Sequence, residues 1–157
     1  MALKDVRIVD LPDMRVASVL GFGANPEDQA ASILIAFAKR IGLEPGSPGY
    51  RTFGFDNPRP TLGSPNYGYE LWLPVGPDVE AADPITIKEI PGSMYAVSRI
   101  TSLSNIGQGW AELVAWFEDS PYTRPPNWRM TLEELINPTE TDHERWIFDL
   151  YLPIARP

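Results

Sequence analysis

An internal repeat is the feature that most strongly constrains how this 157-residue chain can fold. The segment YELWLPV at residues 69–75 returns as FDLYLPI at residues 148–154, an offset of 79 positions at which every pair is identical or chemically close. Further segments match in the same order, with one residue inserted in the last: 8–12 with 87–91, 34–37 with 113–116, and 52–58 with 131–138. Because the offset is half of the chain and a solenoid needs at least three repeats, we predict a single domain, residues 1–157, made of two copies, 1–78 and 79–157.

Each copy is predicted to contain two strands, a helix and two further strands. Short β-branched and alternating runs bounded by Pro, Gly and Asn indicate the strands: 6–10, 14–20, 50–55 and 67–75, then 85–90, 94–100, 129–136 and 146–154. Apolar residues at helical spacing follow Asn25-Pro26 and end at Gly42, and a second such set begins between Asn105 and Gly109. Since strands come in runs, the predicted class is α+β: a duplicated β-β-α-β-β unit with pseudo-twofold symmetry and an antiparallel sheet.

Alternation along the two repeated strands assigns their side chains to opposite faces of the sheet. The aliphatic residues of both strands are predicted to pack under the two helices. The other face then carries an acid and an aromatic residue from each copy: Glu70 and Trp72, and Asp149 and Tyr151. A groove with such walls suits a flat, apolar, positively charged ligand, because rings stack and attract cations while a carboxylate supplies the counter-charge. The alternative is that these acids are solvated on an open face.

Two adjacent acids, Glu133 and Glu134, interrupt an otherwise apolar predicted strand. Alternation cannot bury both, so one is expected to face solvent and one the groove, and the sequence leaves open which. Burial of a carboxylate in an apolar cleft raises its pKa unless a cation pairs with it. One of the two is therefore predicted to be a ligand counter-ion or a general acid and base.

Composition excludes several classes of site. The chain has no Cys and a single His, His143, which excludes disulfides, thiolate metal centres and His clusters, and we expect neither a metal nor a cofactor. A net charge of −8 argues against direct binding of nucleic acid, which needs clustered Lys and Arg. No apolar run approaches the ~20 residues of a membrane span, so a cytoplasmic location is expected.

Several segments resemble GyrI-like, AraC-type effector-binding domains, in order along nearly the whole chain: FGFDNP at 53–58, PGSMYAV at 91–97, Trp110 with Trp116, LEEL at 132–135 and DLYLPI at 149–154. The resemblance implies a groove between the two halves for small molecules that are often cationic and aromatic. The resemblance matches Glu133 to the family's glutamate that acts as counter-ion of the ligand. It also matches Asp149 and Tyr151 to an acid and a tyrosine of the last strand. The family's Glu-x-Tyr is Glu133-Glu134-Leu135 here, so Leu135 stands in place of the tyrosine. Many members are fused to helix-turn-helix modules, whereas this chain resembles a standalone version.

Three functions are consistent with this sequence. The leading hypothesis is sensing or sequestration of a small aromatic, cationic or electrophilic molecule by residues of both copies: Glu133, Leu135, Asp149, Tyr151, Glu70, Trp72, Tyr95 and Trp110. Trp110 also fits a core position at helical spacing. The second hypothesis is a hydrolase that opens strained cyclopropane rings of genotoxic natural products, with Glu133 as the catalytic carboxylate. The third is an inhibitor-type module that binds another protein.

Overall fold

The computed structural model describes residues 5–126 and 130–157, which form eight strands and two α-helices. The elements are β1 (Arg7–Leu11), β2 (Met14–Gly23), α1 (Pro26–Arg40), β3 (Phe53–Asp56), β4 (Tyr67–Pro74), β5 (Thr86–Ile90), β6 (Ser93–Thr101), α2 (Ile106–Glu118), β7 (Leu132–Leu135) and β8 (Ile147–Ile154). Short 3-10 helices occupy Leu103–Asn105 and His143–Arg145. All described strand pairs are antiparallel, which confirms the predicted α+β class.

Contacts divide the chain into two units. The first unit comprises Met14–Ile90, and the second comprises Pro91–Pro157 together with the segment that ends at Asp13. Strand β1 therefore belongs to the unit that contains the second sequence copy, and β5 to the unit that contains most of the first. A single domain with halves 1–78 and 79–157 stays a prediction.

The predicted helices and strands are present, with ends shifted by up to three residues. Pro26 opens α1 after Asn25, as predicted, but the Asn25 side chain makes no capping hydrogen bond. The chain leaves α1 at Gly42, whose φ of 84° favours glycine, and the Leu43 amide donates to the Ala38 carbonyl at 2.8 Å. The predicted start of the seventh strand at Arg129 lies outside the described residues, and β7 begins at Leu132.

In the first unit, the strand order is β3-β4-β2-β5 and α1 packs on one face of the sheet. Alternate residues of the strands, Ala17 and Val19 on β2 and Leu73 on β4, are buried against Leu34 and Phe37 of α1. The expectation that the aliphatic face of β4 lies under the helix is confirmed.

In the second unit, the strand order is β1-β6-β8-β7 and α2 packs on one face. Ala96 of β6 and Leu150 and Leu152 of β8 are buried in one cluster with Leu113 of α2. The predicted faces of β8 are confirmed as well.

The pairing register repeats the sequence offset. Met14 pairs with Ile90 in the first unit, and Ser93, 79 positions after Met14, pairs with Leu11, 79 positions before Ile90. Strands β3 and β7 also keep this offset, since Phe53 lies opposite Trp72 and Leu132 opposite Tyr151. The extra residue in segment 131–138, relative to segment 52–58, therefore lies after β7 and before Asn137. The duplication thus extends to the hydrogen-bonding pattern of the backbone.

Two glycines in the first turn of α2 are predicted to respond oppositely to alanine. A Cβ at Gly109 would lie 2.6 Å from Ile100 Cγ2 and 3.1 Å from Leu150 Cδ1, whereas a Cβ at Gly107 meets nothing within 4 Å. We expect Gly109→Ala to lower the free energy of unfolding by about 1–3 kcal/mol through overpacking. Gly107→Ala is expected to raise it by up to about 1 kcal/mol through helix propensity. Urea denaturation of both variants measures the two changes, and a stabilising Gly109→Ala would contradict the close contact between α2 and the sheet.

Candidate functional site

The face of each sheet that lies away from its helix, here called the non-helical face, carries the polar and aromatic residues of interest. In the second unit, Arg99, Asp149 and Glu134 lie side by side on β6, β8 and β7. In the neighbouring row, Tyr151 lies between Val97 and Leu132, and Arg7 of β1 is opposite Val97.

Asp149 is the centre of an ion-pair cluster in the second unit. Arg99 donates from Nε to Oδ1 at 2.8 Å and from Nη2 to Oδ2 at 3.1 Å, a fork that matches the carboxylate geometry. Arg7 Nη2 donates to the same Oδ2 at 2.9 Å. The hydrogen bond to Asp149, aided by the nearby charge of Glu134, raises the pKa of Arg99 above its ordinary value. Arg99 therefore stays charged, and the buried carboxylate is neutralised from within the unit.

Two tyrosines lie beside this cluster. The rings of Tyr95 and Tyr151 meet edge to face with centroids 5.7 Å apart, and both are buried. The Tyr151 hydroxyl donates to Glu134 Oε1 at 2.6 Å. Since Glu134 is itself buried, the second unit places two rings and two carboxylates together on one water-poor face.

In the first unit, Glu70 occupies the position equivalent to Asp149. Its Oε2 accepts hydrogen bonds from the Lys88 ammonium at 2.7 Å, the Trp72 indole at 2.6 Å and the Ser18 hydroxyl at 2.9 Å. Its Oε1 accepts from the Asn57 amide at 3.0 Å. Burial by itself raises the pKa of the Glu70 carboxyl, but these four donors outweigh it and hold the pKa below the ordinary value.

Aromatic rings also lie beside Glu70. Phe55, the neighbour of Glu70 on β3, meets Trp72 edge to face with centroids 4.9 Å apart. Phe53 lies opposite Trp72 and is fully buried. The predicted combination of an acid and an aromatic residue on the non-helical face is therefore present in both units.

Three residues predicted for the site lie on the helix side of the second unit. Glu133 is opposite Leu150, which packs under α2, and its Oε2 accepts a hydrogen bond from Trp110 Nε1 at 2.9 Å. Leu135 is opposite Phe148 in the same helix-facing cluster. The structure thus places Glu134, and not Glu133, on the face that carries Asp149, Tyr151 and Tyr95, while Trp110 is half-buried and packs against the helix-side cluster.

Sequence reasoning missed the partners of the buried acids. Arg7 and Lys88 lie on the outermost described strands of their units, β1 and β5, and Arg99 lies on β6. The available signal was a basic residue within a β-branched run. This signal does not identify the acidic partner, because Asp149 is 142 positions away from Arg7 and 50 from Arg99.

Residues 5–126 and 130–157 contain no group of three or more His, Asp or Glu side chains placed to hold a metal ion. Within the same residues, no helix is both long and apolar enough to cross a bilayer.

Several solved structures share this fold. The C-terminal domain of EcmrR matches at 15% identity over 98% of both chains with a TM-score of 0.71. A hydrolase from Listeria innocua matches at 15% identity over 98% of this chain and 93% of that one with a TM-score of 0.64. SAV2435 bound to tetraphenylphosphonium matches at 13% identity over 96% and 94% with a TM-score of 0.55. In the complex of EcmrR with DNA, this chain spans 58% of the EcmrR chain. At these identities the matches show a shared fold.

The duplicated sheet with its two buried polar faces defines a domain of the effector-binding class. Residues 7–154 match the Cass2 family of integron-associated effector-binding proteins, and the chain belongs to that family. Binding of small molecules is the general property of such domains. A comparison with curated protein sequences found no match.

The lowered pKa of Glu70 predicts a pH-dependent contribution to stability. Because its folded pKa lies below the unfolded value, the stabilisation is fully present above the ordinary pKa of 4.5 and is lost as the pH falls through the folded pKa. We expect Glu70→Gln to lower the free energy of unfolding at pH 7 by about 1–3 kcal/mol, with a smaller difference well below pH 4. Urea denaturation across this pH range measures the effect.

Glu89→Gln provides a matched control, because the Glu89 side chain is exposed and bonds Arg15 at 3.1 Å on the same strand pair. Its effect is expected to stay within about 1 kcal/mol at every pH. Equal losses in the two variants would contradict the central position of Glu70.

Proposed function

We propose that the chain binds a small aromatic molecule on the non-helical face of the second unit, where Tyr95 and Tyr151 contact its rings. The observation that carries this proposal is the placement of two tyrosines and two carboxylates together on one buried face. Edge-to-face and stacked contacts with tyrosine rings favour aromatic ligands over aliphatic ones of the same size. Membership of an effector-binding family supports the assignment of this face to a ligand.

Access to the rings requires side-chain movement. Tyr95 and Tyr151 are each 3% exposed, whereas about half of the Arg7 and Arg99 side chains is exposed. We infer that a ligand reaches the rings when side chains of this face change rotamer.

The finer sequence predictions remain untested. The tetraphenylphosphonium complex of SAV2435 shows that one protein of this fold binds an aromatic cation. A positive charge on the ligand of this chain stays a prediction from the sequence. A groove between the two halves, a contribution from Glu70 and Trp72, Glu133 as the counter-ion, a cytoplasmic location and the lack of a nucleic-acid partner stay predictions.

The hydrolase and inhibitor hypotheses also stay predictions. A Listeria innocua protein of this fold is named a hydrolase, but similarity at 15% identity shows the fold alone. The carboxylate predicted for catalysis, Glu133, accepts a hydrogen bond from Trp110 on the helix side. Binding is therefore the function that the geometry supports best.

Replacing Tyr95 is expected to weaken the binding of an uncharged aromatic probe. We expect 1-pyrenemethanol to bind the full chain, and Tyr95→Leu to raise its dissociation constant about 3- to 10-fold through loss of a ring contact. Pyrene fluorescence titration measures both constants. Tyr122→Leu is the control, because Tyr122 stacks on Trp116 in the helix-side cluster and is not on the proposed face. No binding at high micromolar probe, or equal losses in the two variants, would refute the proposed function.

A further inference from the structure

The charged groups of the second unit's non-helical face differ in how far solvent reaches them. The Asp149 side chain is 4% exposed, whereas those of Arg7 and Arg99 are 51% and 53% exposed. Glu134 is buried as well. A molecule that approaches this face therefore meets guanidinium groups before it meets carboxylates.

The first unit shows the same arrangement, built from different positions. The Glu70 side chain is 5% exposed and its partner Lys88 is 45% exposed. By the offset of 79, Lys88 corresponds to Val9, and Arg99 corresponds to Leu20. Because the two cations arose at non-equivalent positions, neutralisation of the buried acid by a half-exposed base is an independent feature of each unit.

The arginines of the cluster also limit the ability of the buried carboxylates to bind a cationic ligand. Asp149 accepts three hydrogen bonds from two arginines, so these three residues together carry a charge of +1. The negative charge of Glu134 acts on Arg99 and brings the described face to neutrality. A cationic ligand would have to displace an arginine from a buried carboxylate, which leaves that guanidinium without its partner and opposes binding.

We propose that Arg7 and Arg99 select the charge of the ligand, so that this chain favours aromatic molecules bearing a carboxylate or sulfonate over aromatic cations. The inference rests on the proposed function and specifies its ligand class. Arg7 has the leading role, because its contact with Asp149 uses a single nitrogen, Nη2, while Arg99 holds the same carboxylate through a fork. A guanidinium can pair with a ligand anion and retain one hydrogen bond to Asp149.

Three pyrene probes with the same ring system test this proposal on the full chain: 1-pyrenecarboxylate, 1-pyrenemethanol and 1-pyrenemethylammonium. We expect the carboxylate to bind at least about tenfold more tightly than the ammonium, as for a charge-assisted hydrogen bond. Tighter binding of the ammonium would overturn the charge selection and leave the proposed function intact. Failure of all three to bind at high micromolar concentration would overturn both.

Substitution of Arg7 assigns the selectivity to a residue. Arg7→Gln is expected to reduce the ratio of carboxylate to alcohol affinity several-fold, while the Arg99 fork still neutralises Asp149. Arg156→Gln, at an exposed arginine near the C-terminus, is expected to leave the ratio unchanged. An unchanged ratio in a folded Arg7→Gln protein would overturn the role of Arg7, and circular dichroism establishes that each variant is folded.

Discussion

A carboxylate that is removed from water must find donors inside the protein, and this constraint organises both non-helical faces. The four donors to Glu70 come from β2, β4 and β5 and from Asn57, directly after β3. One buried side chain therefore links all four strands of the first unit. In the second unit, Asp149 on β8 links β1 and β6, and the hydrogen bond from Tyr151 to Glu134 adds β7. The polar groups of each face thus hold the sheet together in addition to giving it a chemical character.

Both units neutralise a buried acid, but they use different residues to do so. Glu70 and Asp149 occupy equivalent positions in the duplicated register, with Trp72 and Tyr151 two positions later. Their neighbours differ: Glu70 lies between Leu20 and Phe55, whereas Asp149 lies between Arg99 and Glu134. The first unit lacks a cation in that row and receives one from Lys88 on β5 instead. Divergence after duplication has therefore changed the source of the positive charge and retained the pairing of a buried acid with a half-exposed base.

Local patterns in the sequence predicted the elements and their faces, because both depend on periodicity over a few residues. The alternation of Glu70, Leu71, Trp72 and Leu73 assigned the two faces of β4 directly. Pairings between distant strands carry no local signal, so the placement of β1 beside β6 and the contact of Arg7 with Asp149 were not predictable. The register of β7 also decides which of Glu133 and Glu134 lies on the non-helical face, since a shift of one residue exchanges the two faces of a strand.

The register of β7 also shows on which face of the sheet this chain departs from the family's Glu-x-Tyr pattern. Glu133 and Leu135 both lie on the helix side, where Glu133 accepts the hydrogen bond from Trp110. Replacement of a tyrosine by Leu135 thus affects the packing beneath α2, and Phe148 is its neighbour there. The non-helical face keeps its aromatic character through Tyr95 and Tyr151 on β6 and β8. It follows that the departure from Glu-x-Tyr lies on the helix side, whereas the charged side chains of the non-helical face come from other positions: Arg7, Arg99, Asp149 and Glu134.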